Sequence, residues 1–419
     1  MNFTLLNAAF GAHPIKSKNP MKKILYPILA LVLAAVIYLL TWPVPIEPQA
    51  WIPPPAPKLE GVYAANDKLK GVQRFGVGVG VGPEGIAVDA AGRIYAGYLD
   101  GRIVMFSNNG SSYQELGKTD GRPLGISFGP NGGLLIADAD LGLLHLGSGT
   151  TPKVLAAAAE GVPFALTDDV DNTRLDKNVY FTDAAAYPLK NVLYEFVEHK
   201  GTGRLMEYNV ETKETKVLMK GLLFGNGVAV GPDDAYVLVN ETAAYRVMRY
   251  WLKGEKAGTS EVFIDNLPGL PDNISYSDTT RRFWLALFSP RAASLDDLAS
   301  KPVWMKKLAL RLPKFLQPTP PHKAWVLGLD ENGKVIANLQ HDAKDAYGPI
   351  TSVREWGPWL VFGSLEADSL ARLPLNQVFE GSAPPPANWE KLKPNPHHFV
   401  PPKVGEQGEV GAEEDSEKR

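Results

Sequence analysis

The sequence predicts an all-β chain: a six-bladed β-propeller behind an N-terminal transmembrane helix, interrupted by one helical insertion. Three observations predict it. A unit of turn, apolar strand, turn and second strand recurs about six times, at roughly 40 to 75 residues, the sequence sign of propeller blades. One apolar run near the N-terminus has the length of a membrane span. One long non-β stretch, 289–321, accounts for the widest gap between copies.

The apolar run is "ILYPILALVLAAVIYLLTW", Ile24–Trp42. Lys16, Lys18, Lys22 and Lys23 precede it, and no basic residue follows before Lys58. The positive-inside rule puts segment 1–23 in the cytosol and the propeller on the non-cytosolic side, periplasmic or lumenal/extracellular. A cleaved signal peptide is the rival reading; the run is long for one and no small-x-small cleavage site follows. Met21 offers an alternative start. Residues 43–60 are Pro-rich and read as a semi-rigid spacer. The propeller is expected over 61–385, and the acidic tail 386–419 as extended or disordered.

The repeat copies are "GRIYAGYLDGRIVMF", "GGLLIADADLGLLHL", "KNVYFTDAA" with "GRLMEYN", "DAYVLVNETAAYRVMRYWL", "RRFWLALFSPR" with "KAWVLGLDENGKV", and "WLVFGSLEADSLARLPL". The insertion places Leu298, Val303, Trp304, Leu308 and Leu312 at near-helical spacing among Lys306, Lys307, Arg311 and Lys314. It reads either as helices packed on the propeller face or as a basic amphipathic surface for lipid or a hydrophobic substrate.

Composition excludes several chemistries. There are no cysteines, hence no disulfide, thiolate nucleophile or cysteine zinc site. Seven histidines form no HExxH pair. A net charge of -3, with no basic patch or RNA-reading motif, gives no nucleic-acid footprint.

Four stretches put a polar group where an inner strand should begin. They are "VGPEGIAVD" with Glu84, "FALTDDVDN" with Asp168, Asp169, Asp171 and Asn172, "LLFGNGVAVGPD" with Asn226, and "LPGLPDNISYSD" with Asp272 and Asn273. Singly, each reads as turn or loop chemistry. Together they fall at one blade phase and converge on the channel mouth. Buried carboxylates there would repel one another without a cation. Hard oxygens of mixed charge suit Ca2+, or another divalent ion. Glu84, Asp168, Asn226, Asp272 and Asn273 are the expected ligands.

In order, "GPEGIAVD", "YFTDAA", "GNGVAVGPD" and "LPGLPDNIS" resemble the strictosidine synthase-like family, within the gluconolactonase and paraoxonase superfamily of six-bladed propellers. The resemblance covers about 61–375, with the anchor and "KPVWMKKLALRLPKF" besides. It implies that Glu84, Asn226, Asp272 and Asn273 hold a divalent ion. Asp168 stands where relatives usually carry Asn, which adds a charge. The general acid/base Glu of strictosidine synthases aligns with Thr351, while Glu355 matches a different position, so alkaloid synthesis is not expected. The paraoxonase His pair aligns with Leu124 and Ala139.

The resulting expectation is a membrane-anchored, calcium-dependent hydrolase of esters or lactones, with Asp272 activating water. The rival is a non-enzymatic, membrane-tethered propeller whose metal is structural and whose face binds protein or lipid. Two sequons, at Asn109 and Asn240, matter only in a lumenal setting.

Overall fold

A computed structural model describes residues 20–130, 132–173, 177–317, 319–379 and 408–409. The basic segment before Pro20 and nearly all of the tail 386–419 lie outside the described residues. Gly408–Glu409 is the exception: its backbone pairs antiparallel with Ser112–Tyr113.

The chain divides into two compact units. One holds the residues up to Pro45 with Lys307–Gln317; the other holds Ile46–Lys306 and the chain from Pro318 on. In the first, helix α1 (Pro20–Thr41) contains the apolar run. Lys23–Thr41 is long and apolar enough to cross a membrane, and none of it is buried. Its C-terminal carbonyls, which have no partner within the helix, receive Arg311. The guanidinium donates to Leu39, Leu40 and Trp42 oxygens at 2.8, 3.2 and 2.7 Å.

The second unit is the propeller, with six antiparallel blades of four strands, the first extended by Gly408–Glu409 as a fifth. The inner strands are Ile86–Val88, Pro123–Phe128, Thr167–Asn172, Gly225–Val230, Gly269–Ser277 and Ser352–Trp356, in blades 1 to 6. Each packs on the next and the sixth on the first, which closes the ring. Blade 6 takes its outermost strand from the start of the unit: Gln73–Phe75 pairs with Leu370–Arg372. The six recurring sequence copies are the second and third strands of each blade. The inner strands are at least as buried but carry the polar bulge residues, so the repeat reads most clearly in the second and third strands. Large side chains such as Trp284, Trp325, Phe106 and Phe181 fill the seams between blades.

The insertion forms helices α3 (Ala293–Ala299) and α4 (Val303–Arg311), between the second and third strands of blade 5. Helix α2 (Val192–Glu198) occupies the same connection in blade 3. Both connections leave the ring at the end where the inner strands begin. The amphipathic pattern of α4 does not predict its orientation: Lys306 is buried, donating to the Gln49 carbonyl at 2.5 Å, while Val303 and Trp304 are exposed.

The Pro-rich segment is no free spacer from Ile46 onward. Ile46 is buried. Gln49 and Trp51 donate backbone N–H groups to Glu198 and Ala299 carbonyls. Arg291 donates to Pro54 O, and Asn266 to Pro55 O. A run of prolines disfavours helix and ladder, having no backbone N–H to donate, but its free carbonyls accept from side chains. The segment therefore becomes a strap across α2, α3 and α4.

Candidate metal centre at the propeller mouth

The sequence reads "LPGLPDNISYSD" as a loop leading into a strand. In the structure Gly269–Ser277 is already the inner strand, and its register breaks between Pro271 and Ile274. Asp272 and Asn273 occupy that irregularity. The same break falls at Leu124 in blade 2, between Pro123 and Gly125. It falls at Asp168-Asp169 in blade 3 and at Asn226-Gly227 in blade 4. An extra residue in one strand re-aims a side chain away from the sheet. Asp168, Asn226, Asp272 and Asn273 therefore sit on bulges of inner strands and not in connecting turns.

Glycines let the strands come close enough. A Cβ on Gly227 would lie 2.5 Å from Asp272 O, and one on Gly85 would lie 1.9 Å from Leu124 O. Both glycines directly follow an expected ligand. Neighbouring blades pin the bulge backbones: Thr242 Oγ1 donates to Pro271 O at 2.6 Å, and Asn240 Nδ2 donates to Asp272 O. Asn240 is fully buried, so that sequon is spent inside the fold, whereas Asn109 is exposed.

All five expected ligands are buried, each 3–5% exposed. Burial pushes the Glu84 carboxyl up to about 7; Arg122 opposes the shift and Asp169 adds to it. Asp168 and Asp272 are pushed well above the usual carboxylate range, first by burial and then by the charge of Glu84. A hydrogen bond from Asn226 partly offsets the shift of Asp272. Among the described residues, Asp168 Oδ1, Asn226 Oδ1 and Asn273 Oδ1 have no hydrogen-bond partner. Buried polar oxygens are rarely left in this state. Three buried carboxylates, each held above its usual range first by burial, and the orphaned oxygens fit a hard divalent cation. Among the described residues no three His, Asp or Glu side chains suffice by themselves to hold an ion.

The acidic run of blade 3 separates by role. Asp169 accepts N–H groups of Val170 and Val228, both at 2.9 Å, and Asp171 accepts that of Val230 at 2.9 Å. These two stitch blade 3 to blade 4. Asp168 alone keeps an uncommitted oxygen. Thr351 is fully buried at the blade 6 position; its carbonyl accepts the Asn273 N–H at 3.0 Å and its hydroxyl has no partner among the described residues. Glu355 is remote in role: it accepts Trp284 Nε1 at 2.6 Å and Thr280 Oγ1 at 2.7 Å. Leu124 and Ala139 join Leu166, Ala184 and Phe224 in one apolar cluster.

Arg122 is a member that the sequence did not reveal. It lies two residues before the blade 2 bulge, is 4% exposed, and places Nη2 3.2 Å from Glu84 Oε2. Its only sequence signal is a cation in "GRPLGISF" beside an otherwise apolar strand.

Comparison with known proteins now bears on this geometry. A strictosidine synthase family profile matches residues 168–255, and a strictosidine synthase-like N-terminal profile matches 61–106. The adipocyte plasma membrane-associated protein of Salmo salar is 35% identical over 377 residues, covering 84% of this chain and 88% of its own. The chain belongs to the strictosidine synthase-like family. A second member, strictosidine synthase-like 4 of Arabidopsis thaliana, is 38% identical over 320 residues, 74% of this chain and 84% of its own. Among solved structures, a gluconolactonase from Xanthomonas campestris superposes with TM-score 0.52 at 14% identity, covering 72% of this chain and 89% of that one. A calcium-binding regucalcin from Agrobacterium tumefaciens gives 0.51 at 15%, covering 74% and 96%. At such identities the likeness is one of fold, and this family member shares the gluconolactonase-type propeller.

Proposed function

We propose that this family member is a membrane-anchored, calcium-dependent hydrolase of esters or lactones. The observation that carries the reading is the set of orphaned oxygens on Asp168, Asn226 and Asn273 beside the buried carboxylates Glu84 and Asp272. These five side chains would hold the ion. When bound, Ca2+ or another divalent cation supplies electrophilic polarisation of a carbonyl.

The protein's own groups supply the remainder. Asp272 is the base: burial and neighbouring negative charge raise its proton affinity, so a carboxylate oxygen can accept a proton from water held against it. The Asn226 hydrogen bond helps to orient the Asp272 carboxylate. Leu124, Ala139, Leu166 and Phe224 form a buried apolar cluster, in keeping with a site that excludes water.

In the anchor unit, α1 crosses the bilayer with its N-terminus cytosolic and the propeller on the other side. Exposed Phe315 and Leu316, beside Lys307 and Lys314, contact lipid at the interface.

The test is a panel of phenyl acetate and lactones, with and without chelator, on the wild type, Asp272→Asn and Asn226→Ala. Turnover that chelation abolishes, and that falls at least about a hundredfold in Asp272→Asn, is expected. Turnover that survives both substitutions removes the metal-centred mechanism.

A second reading has a specific observation behind it. Leu124, Ala139 and Thr351 leave the mouth without an imidazole or an added carboxylate at those three positions. A structural metal in a lipid- or protein-binding propeller fits this. It would give no turnover on any ester or lactone, together with a lower melting temperature after chelation.

A further inference from the structure

We infer that Arg122 is a built-in counter-ion that sets the charge of the ring, so that the site selects one divalent cation. The inference rests on the metal reading above and concerns a residue outside the donor set.

The argument is a count of buried charge. Glu84, Asp168 and Asp272 bring three negative charges into a buried site. Asp169 also bears on the three carboxylates, but the charge of Arg354 offsets its own and its oxygens accept the N–H groups of Val170 and Val228, so it leaves the net count unchanged. Arg122 brings one positive charge. The remainder is two negative charges, which one divalent ion cancels. Buried charges left unbalanced are costly, so the balance is a constraint on the fold.

Position supports the count. Arg122 comes from blade 2, whose bulge offers only the apolar Leu124. It stands between the blades that carry Glu84 and Asp168, and its charge bears on both. Asp272 is instead paired with Asn226. The backbone N–H of Arg122 is fixed by Asp138 Oδ1 at 3.2 Å, and the same oxygen accepts the N–H groups of Asp140 and Leu141, both at 3.1 Å. Its Nε and Nη1 have no partner among the described residues. A guanidinium placed for structural hydrogen bonds would have these groups satisfied. This one is held by charge.

The experiment is calorimetric titration of the full-length protein in detergent micelles with Ca2+ and with Tb3+, an oxygen-seeking trivalent ion. Arg122→Gln leaves three uncompensated charges, and the Tb3+ to Ca2+ affinity ratio should rise about ten- to hundredfold. Arg122→Lys should keep the wild-type ratio. The double variant Arg122→Gln/Asp168→Asn restores two net charges and should return the ratio to the wild-type value. An unchanged ratio in Arg122→Gln, with Ca2+ still bound, overturns the inference and leaves the metal reading standing. No Ca2+ binding by the wild type overturns the metal reading and this inference with it. If Arg122→Gln does not fold, the double variant decides: a folded protein with the wild-type ratio supports charge balance, and failure to fold or a raised ratio overturns it.

Discussion

Asp168 and Asp169 are adjacent, equally buried and chemically identical, yet they do different work. Both oxygens of Asp169 accept backbone N–H groups. Asp169→Asn would turn one acceptor into a donor facing a donor, at a cost of about 1–3 kcal/mol. Asp168→Asn keeps an oxygen on the ring and removes a charge that burial and Glu84 disfavour, so metal-free stability should hold or rise while ion binding weakens. Urea denaturation of metal-free samples separates the two; equal losses would remove the distinction. Sequence could not make it, because neighbouring aspartates become different only once a bulge sends one into the ring and the other across the seam. Glu84, Asn226 and Asp272 were legible because each sits next to its blade's apolar alternation. Arg122 was not, because its partner Glu84 lies 38 residues away in another blade.

At the scale of the element, the bulged inner strands depend on their glycines. Gly227→Ala would drive a Cβ into the Asp272 carbonyl and Asn273 Cα, at 2.5 and 2.6 Å. Neither atom belongs to a flexible side chain, so blades 4 and 5 must separate. We expect a loss of about 1–3 kcal/mol and weaker ion binding. Gly149→Ala, with nothing within 4 Å, is the neutral control. Equal melting temperatures for the two would contradict the close approach. The strap carries its own pH dependence. His199 stacks on Trp51 at 4.1 Å, and burial lowers its pKa to about 4. The neutral ring is thus favoured in the folded state. This contribution is complete above the unfolded value of about 6.5 and is lost as pH falls through about 4. Emission from the strap tryptophan should shift on acidification across that window, and the shift should shrink in His199→Gln. A proline-rich composition predicted the extended backbone of the strap but not its docking. The acceptors it offers are carbonyls, which carry no side-chain signature.

For the whole molecule, the six blades were readable because propeller strands are short, local and repeated. The ring closure was not, since Gln73–Phe75 is three unremarkable residues. Closure makes a sharp prediction about truncation. A chain beginning at Ile46 keeps the strap and the closing strand and should melt cooperatively. A chain beginning at Val77 lacks the fourth strand of blade 6 and should lose cooperativity or fail to express in folded form. Scanning calorimetry distinguishes them; indistinguishable transitions would show that the closing strand is dispensable.

That same pairing sets a clock on biosynthesis. Arg74 meets Ala371, and 297 positions of chain separate them. At roughly 5–20 residues per second, the ribosome takes about 15–60 s to deliver the partner. For that interval the first strand waits as an open edge. Gln73 and Arg74 are exposed in the finished ring, and only Phe75 turns inward. A polar, cationic edge is poor at recruiting other strands, so the residues that close the ring last are also suited to waiting without aggregating.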